Sequence, residues 1–155
     1  MHILKIKILD DCPNKEFVKK FYQDRMNMAL QRKDFGVDII FPDDELFLTN
    51  KVIKCGMGII CNFFPNGGTE SGPFDLIPKS SMANTPLMLT NSVEILDPEP
   101  YDELVAAFRC NIDRDHKSTI DDFKYIVEKG TNLLQIVAPD RKIIRVEVVE
   151  TIYGE

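Results

Sequence analysis

The chain has 155 residues, 44% apolar and 28% charged, with a formal net charge of −6. That length and composition suit one globular domain, 1–155, with a core that needs neither disulfides nor a structural metal. The acidic balance excludes a nucleic-acid duplex as the expected partner, because backbone binding needs a concentrated basic face. A mononucleotide stays open, since a local pocket can be positive on an acidic protein.

Residues 2–9 alternate apolar and polar and predict a half-buried strand. The same alternation is unlike the solid apolar block of a signal peptide, and no window is long and apolar enough for a membrane span, so the expectation is a soluble intracellular protein, cytoplasmic or nuclear. Residues 14–33 place Phe17, Val18, Phe21, Tyr22, Met26, Ala29 and Leu30 at three- and four-residue spacings, which predicts an amphipathic helix with Pro13 in its first turn. Short strands follow at 37–41, 46–48, 51–64, 74–77, 87–96, 103–110, 123–127, 132–138 and 143–153. Asn66-Gly67-Gly68 is a hairpin signal between two of them. The charged segment 111–122 reads as a loop between strands, a place for a protein partner to dock, as is the helical insert 14–33. The whole pattern predicts an all-β fold, a distorted barrel or jelly-roll of short strands with one helical insert near the N-terminus.

Cys12, Cys55, Cys61 and Cys110 lie 43, 6 and 49 positions apart, which matches no zinc or redox spacing and predicts free thiols. With only His2 and His116 available as imidazoles, a His-based metal site and a Ser-His-Asp triad are both disfavoured.

Four motifs in order carry more information. They are Asp34-Phe35-Gly36-Val37-Asp38-Ile39, then Pro78-Lys79-Ser80-Ser81 with its continuation Asn84 to Val93, then Asn91 to Leu104, then Lys129-Gly130-Thr131-Asn132-Leu133-Leu134-Gln135-Ile136. Each alone is an ordinary turn or strand. Their order and spacing from about residue 34 to 150 resemble the trimeric dUTP pyrophosphatases (dUTPases).

The resemblance implies roles residue by residue. Asp38 matches an acidic residue used near the water shell of Mg²⁺, and Lys79, Ser80, Ser81 and Gln135 match phosphate-binding positions. Asn91 matches a residue that reads uracil, and Asp97 matches the carboxylate that activates the attacking water. Tyr101, with a local bulge in the chain, would take the place of a Tyr that packs under the deoxyribose. The chain also departs from the pattern. Lys79 and Asn132 stand where the family has arginines, Glu94 replaces a glycine, Pro100 and Asp102 fall on the positions of the Tyr and a second glycine, and no Gly-rich closing tail follows Val146 to Glu150.

The family's phosphate-facing arginines become Lys79, which keeps the charge but loses the planar guanidinium, Asn132 and nothing at all, while Glu94 and Asp102 add negative charge near a polyanion site. The expected function is therefore a dUTPase-like homotrimer that binds a deoxyuridine nucleotide or a partner, in a regulatory or structural role, without efficient dUTP hydrolysis. On that reading it needs no cofactor. The alternative is a divergent active enzyme that converts dUTP to dUMP and pyrophosphate with Mg²⁺; a related deaminase of the same fold is a third, for which its further motifs are missing.

Overall fold

A computed structural model describes residues 1–28, 35–98, 101–111 and 124–152. The first strand, β1 (His2–Ile8), buries alternate residues, so the pleat drives Leu4 and Ile6 into the core. It pairs in parallel with the last strand, β12 (Ile144–Val148), and antiparallel with β5 (Ile59–Phe64). The two ends of the described chain thus share one three-stranded sheet.

The helix α1 spans Lys15–Met28 and packs on β12 and β1. It starts two residues after Pro13: Asn14 takes a left-handed conformation (φ 52°), and Val18 makes the first helical bond back to the Asn14 carbonyl at 3.1 Å. Asn14 also donates its side-chain amide to the Pro42 carbonyl, which fixes the entry. Val18 and Tyr22 are fully buried as their spacing predicts, and the Tyr22 hydroxyl accepts the Ile40 N–H at 3.3 Å. Burial pushes the Tyr22 phenol well above its ordinary range. Arg25, on no apolar pattern, is also buried. Phe17, placed on the apolar face, is instead 44% exposed, with the Lys129 ammonium over its ring at 5.0 Å. The predicted stretch 29–33 lies outside the described residues.

Three smaller sheets complete the described fold. β3 (Glu45–Leu48) pairs with β10 (Lys124–Val127); β4 (Val52–Gly56) and β7 (Leu87–Leu89) flank β9 (Val105–Cys110); and β2 (Val37–Ile39), β11 (Leu134–Val137), β6 (Phe74–Pro78) and β8 (Glu94–Leu96) form a sheet in that order. The architecture is all-β with one helix, a distorted jelly-roll and not a closed barrel. Inward residues from all four sheets meet in one apolar cluster. At its centre Phe41, Phe47 and Phe108 form a ring trio with centroids 5.5 to 6.4 Å apart.

Three sequence expectations are corrected. The run 51–64 is two strands, because Gly58 turns the chain at φ +74° and a side chain there would press into Cys12 Sγ. Asn66-Gly67-Gly68 does not make a hairpin of β5 and β6: a short 3-10 turn leaves only the single antiparallel bridge Phe63–Gly72, and the two strands join different sheets. The run 87–96 also divides, with β7 and β8 in separate sheets across a turn whose Ser92 is left-handed (φ 58°). The charged loop predicted at 111–122 is described only at Asn111. No helix among the described residues is long and apolar enough to cross a membrane.

Candidate functional site

The sheet β2-β11-β6-β8 positions most of the residues singled out by sequence. Gln135 on the central strand β11 lies opposite Asp38 on one side and Ile77 on the other. Directly opposed residues share a face, and Lys79 follows Ile77 by two, so Asp38, Gln135 and Lys79 converge at one end of the sheet. The Lys79 ammonium lies 2.8 Å from Asp38 Oδ1, both side chains being about three-quarters buried at 25% and 22% exposure. The other carboxylate oxygen, Oδ2, accepts the side-chain amide of Asn132 at 3.1 Å.

This end is braced further by its backbone. Lys79 donates its N–H to the Leu133 carbonyl at 2.8 Å, and the Ser81 hydroxyl donates to the Asn132 carbonyl at 3.3 Å. Ser80 opens the 3-10 turn Ser80–Asn84 and is exposed. Gly36 lies so close to Gln135 that a Cβ there would meet its Oε1, so only glycine leaves the amide its room. Asp38, Lys79, Ser81 and Gln135 are therefore brought together at this end of the sheet. Asn132 is the participant that residue-by-residue matching undervalued: read as a lost arginine, it is the donor that holds Asp38. Its position at the mouth of the turn before β11, level with the segment after β6, is the signal that could have found it.

Asp97 lies elsewhere. In the antiparallel pair of β6 and β8, Phe74 faces Leu96 and Leu76 faces Glu94, so Asp97 lies just past the start of β6 while Lys79 lies just past its end. Six residues of extended chain separate those levels, about 20 Å. Asp97 is exposed and lines a cavity of about 240 Å³ with Cys61, Phe74, Leu96, Asp102 and Glu103. Glu70 and Asp97 both line a second, more open cavity. Glu103 is tied down by the Gly58 N–H, which donates to its Oε2 at 2.9 Å.

Burial pushes the Cys61 thiol up to about 12 and raises the carboxyl of Glu94, which faces the buried Leu76 across the sheet. Among the described residues after Asp97, Leu104 exchanges backbone bonds with Met57 and Ile59. Tyr101 places its hydroxyl 3.5 Å from Ser71 Oγ, and Asn91 lies in the exposed turn before β8. Glu99 and Pro100, between Pro98 and Tyr101, lie outside the described residues.

Two chemically distinct groups result. One is a charge-balanced Asp-Lys pair with amide and hydroxyl neighbours; the other is a cavity rimmed by carboxylates. As a metal site the first offers a single carboxylate, within the one or two that Mg²⁺ usually takes together with substrate phosphates, but its charge is already compensated by an ammonium. Among the described residues no group of three or more His, Cys, Asp or Glu side chains is placed to hold a metal ion.

No family model matches the chain, and no curated protein sequence matches it. Solved structures do. A point mutant of the dUTPase of Staphylococcus bacteriophage 80alpha superposes with a TM-score of 0.59 at 15% identity, covering 98% of this chain and 97% of that one. Another form of that phage enzyme, with dUpNHpp, gives 0.58 at 15% identity over 86% of this chain and 80% of its own. The dUTPase of phage phi11 of S. aureus, in a structure that shows coordination of a structural Mg(II) ion, gives 0.58 at 14% identity over 86% and 88%. The fold is dUTPase-like.

Proposed function

We propose that this chain, folded as one domain over 1–155, is a dUTPase-like homotrimer that binds a deoxyuridine nucleotide and acts in a regulatory or structural role without efficient dUTP hydrolysis. The observation that carries this reading is the separation of Asp97 from the Asp38-Lys79 pair by about 20 Å within one chain. A site that uses both must draw them from different copies. Exposed apolar side chains suited to such an assembly project from the outer faces of β3, β4, β7, β9 and β10, at Leu46, Val52, Met88, Val105 and Ile126. The segments 14–33 and 111–122 are the proposed contacts for a protein partner.

Phosphoanhydride hydrolysis depends on cations and donors aimed at the charge that develops on the phosphates. Here the ammonium of Lys79 is neutralised by Asp38, Asn132 brings an amide and no charge, and the surroundings of Asp97 add Asp102, Glu103 and Glu70. This balance supports recognition of a nucleotide more than acceleration of its hydrolysis. Asn91 and Tyr101 would then face the base and sugar, Lys79, Ser80, Ser81 and Gln135 the phosphates. In an active enzyme Asp97 would activate water, and Asp38 would serve Mg²⁺ through that ion's waters.

The test is purified protein with dUTP and Mg²⁺ beside an Asp97→Asn control. The expected result is no turnover above the control, together with a thermal shift on addition of dUMP or a non-hydrolysable dUTP analogue. Turnover at ordinary enzyme rates that the control lacks would establish the active enzyme instead. Light scattering that shows a monomer would overturn the shared site.

A further inference from the structure

The Asp38 carboxylate is served at both oxygens by nitrogen donors from two different segments, Lys79 after β6 and Asn132 before β11. Asn132 also accepts the Ser81 hydroxyl on its backbone carbonyl, so one residue ties the carboxylate to the turn that carries the two serines. The pair is three-quarters buried, and its net charge is zero. A lone half-buried carboxylate would invite a cation. This one already has one, covalently attached to the chain.

An ammonium has three N–H donors, and the bond to Asp38 Oδ1 uses one of them. Two remain for oxygens of an incoming anion, and the carboxylate behind the ammonium fixes where they point. Lys is a point-charge phosphate binder, free to rotate about its stem, and a bracing partner is what supplies the orientation that a planar guanidinium has by itself. A second cation at 132 would compete for Asp38; the neutral amide of Asn132 supports the carboxylate and leaves Lys79 as the single cation of the cluster.

We infer that the Asp38-Lys79-Asn132 cluster is a metal-independent receptor for a phosphate or diphosphate group, in which the Lys79 ammonium takes the part of a divalent cation and Asn132 is the positioning residue. This rests on the proposal that the site takes a phosphate-bearing ligand, and it names how that ligand is held. The anion enters with its charge met by Lys79, hydrogen bonds come from the ammonium and the exposed Ser80 hydroxyl, the Ser81 hydroxyl stays on the Asn132 carbonyl, and Asp38 stays on Lys79 instead of turning to a hydrated metal.

Calorimetric titration of the full chain with inorganic pyrophosphate and with dUMP, in EDTA and in magnesium chloride, tests this. Binding of both probes at least as tight in EDTA as in magnesium is expected, and binding about tenfold or more tighter in magnesium overturns the inference while leaving nucleotide binding intact. Binding of dUMP without any binding of pyrophosphate also overturns it alone. Failure of both probes in both buffers overturns it together with the proposed function. Asp38→Asn keeps the shape and removes the brace; it is expected to weaken pyrophosphate about tenfold equally in the two buffers, whereas a loss confined to magnesium would assign Asp38 to a metal. Asn132→Asp places a second carboxylate in the cluster and is expected to weaken binding in EDTA; an unchanged or tighter complex would sink the positioning role. A thermal melt of each variant separates loss of binding from loss of fold.

Discussion

The two ends of β6 have opposite physical characters. At its C-terminal end three strands contribute residues that brace one another: the β2 carboxylate takes an ammonium and an amide, and the backbone of Lys79 is pinned to the chain entering β11. At its N-terminal end β8 is an edge strand, with Ile95 69% exposed, and Asp97 looks onto other carboxylates. Asp38 is held although β2, like β8, is an edge strand, because donors reach it from the chain after β6 and from the chain before β11. Asp97 is exposed and lines a cavity with Asp102 and Glu103 instead, so like charges face it where donors face Asp38.

The largest expected effect separates the two ends by stability. Leu134, fully buried in β11 beneath the braced cluster, should cost about 2 to 5 kcal/mol as Leu134→Ala in urea unfolding. Breaking the ion pair comes next. Lys79→Met leaves Asp38 with Asn132 alone and is expected to cost about 1 to 2 kcal/mol, between the values for exposed and buried pairs because a quarter of each side chain meets water. A cost indistinguishable from zero would mean that the bracing is cosmetic.

Glu94 gives a smaller effect with a pH signature. Burial raises its carboxyl above the reference value of 4.5, so the folded state holds the proton more tightly than the unfolded state. Its contribution to stability is then best below pH 4.5 and declines as pH rises through the raised folded value. Glu94→Gln should remove that decline and gain about 0.5 kcal/mol at neutral pH, with no gain below the unfolded value. A gain that persists in acid would trace to packing instead of charge. The smallest effect is at the edge, where Ile95→Ala in the isolated chain should stay within about 0.5 kcal/mol. If the same substitution strongly weakens an oligomer, the edge of β8 is an interface and its exposure in one chain is the reason it looks inert.

Much of the fold was legible because it rests on local periodicity. Strict alternation at 2–9 became β1, and the apolar run before Val137 became the buried strand β11 with Gln135 in register with Asp38. Val18 and Tyr22 entered the core at helical spacing. Other readings failed where two elements compete for the same residues. Nothing local announces that Gly58 must turn because Cys12 approaches it, or that the strands flanking Asn66 find partners in different sheets. Arg25 ends up buried against the Ile144 carbonyl through a contact 119 positions away in the chain.

The candidate site divides along the same line. The order of the motifs was sufficient to pick out Asp38, Lys79, Ser81 and Gln135, because their separations along the chain bring adjacent strands together once the sheet forms. Comparing residue types alone registered Asn132 as a charge that had been lost; the tertiary structure makes it a donor, because only the meeting of β2 and β11 puts an amide against the free oxygen of Asp38.

By itself, then, the sequence determined the all-β class, the inserted helix and the identity of the polar residues grouped at the end of β6, since these follow from periodicity and from chemistry that each residue carries with it. Only the tertiary structure decided that Lys79 and Asp38 form a closed pair and that Asp97 lies a strand's length away. Distances between charges depend on sheet order and register, and those are set by contacts between residues far apart in the chain.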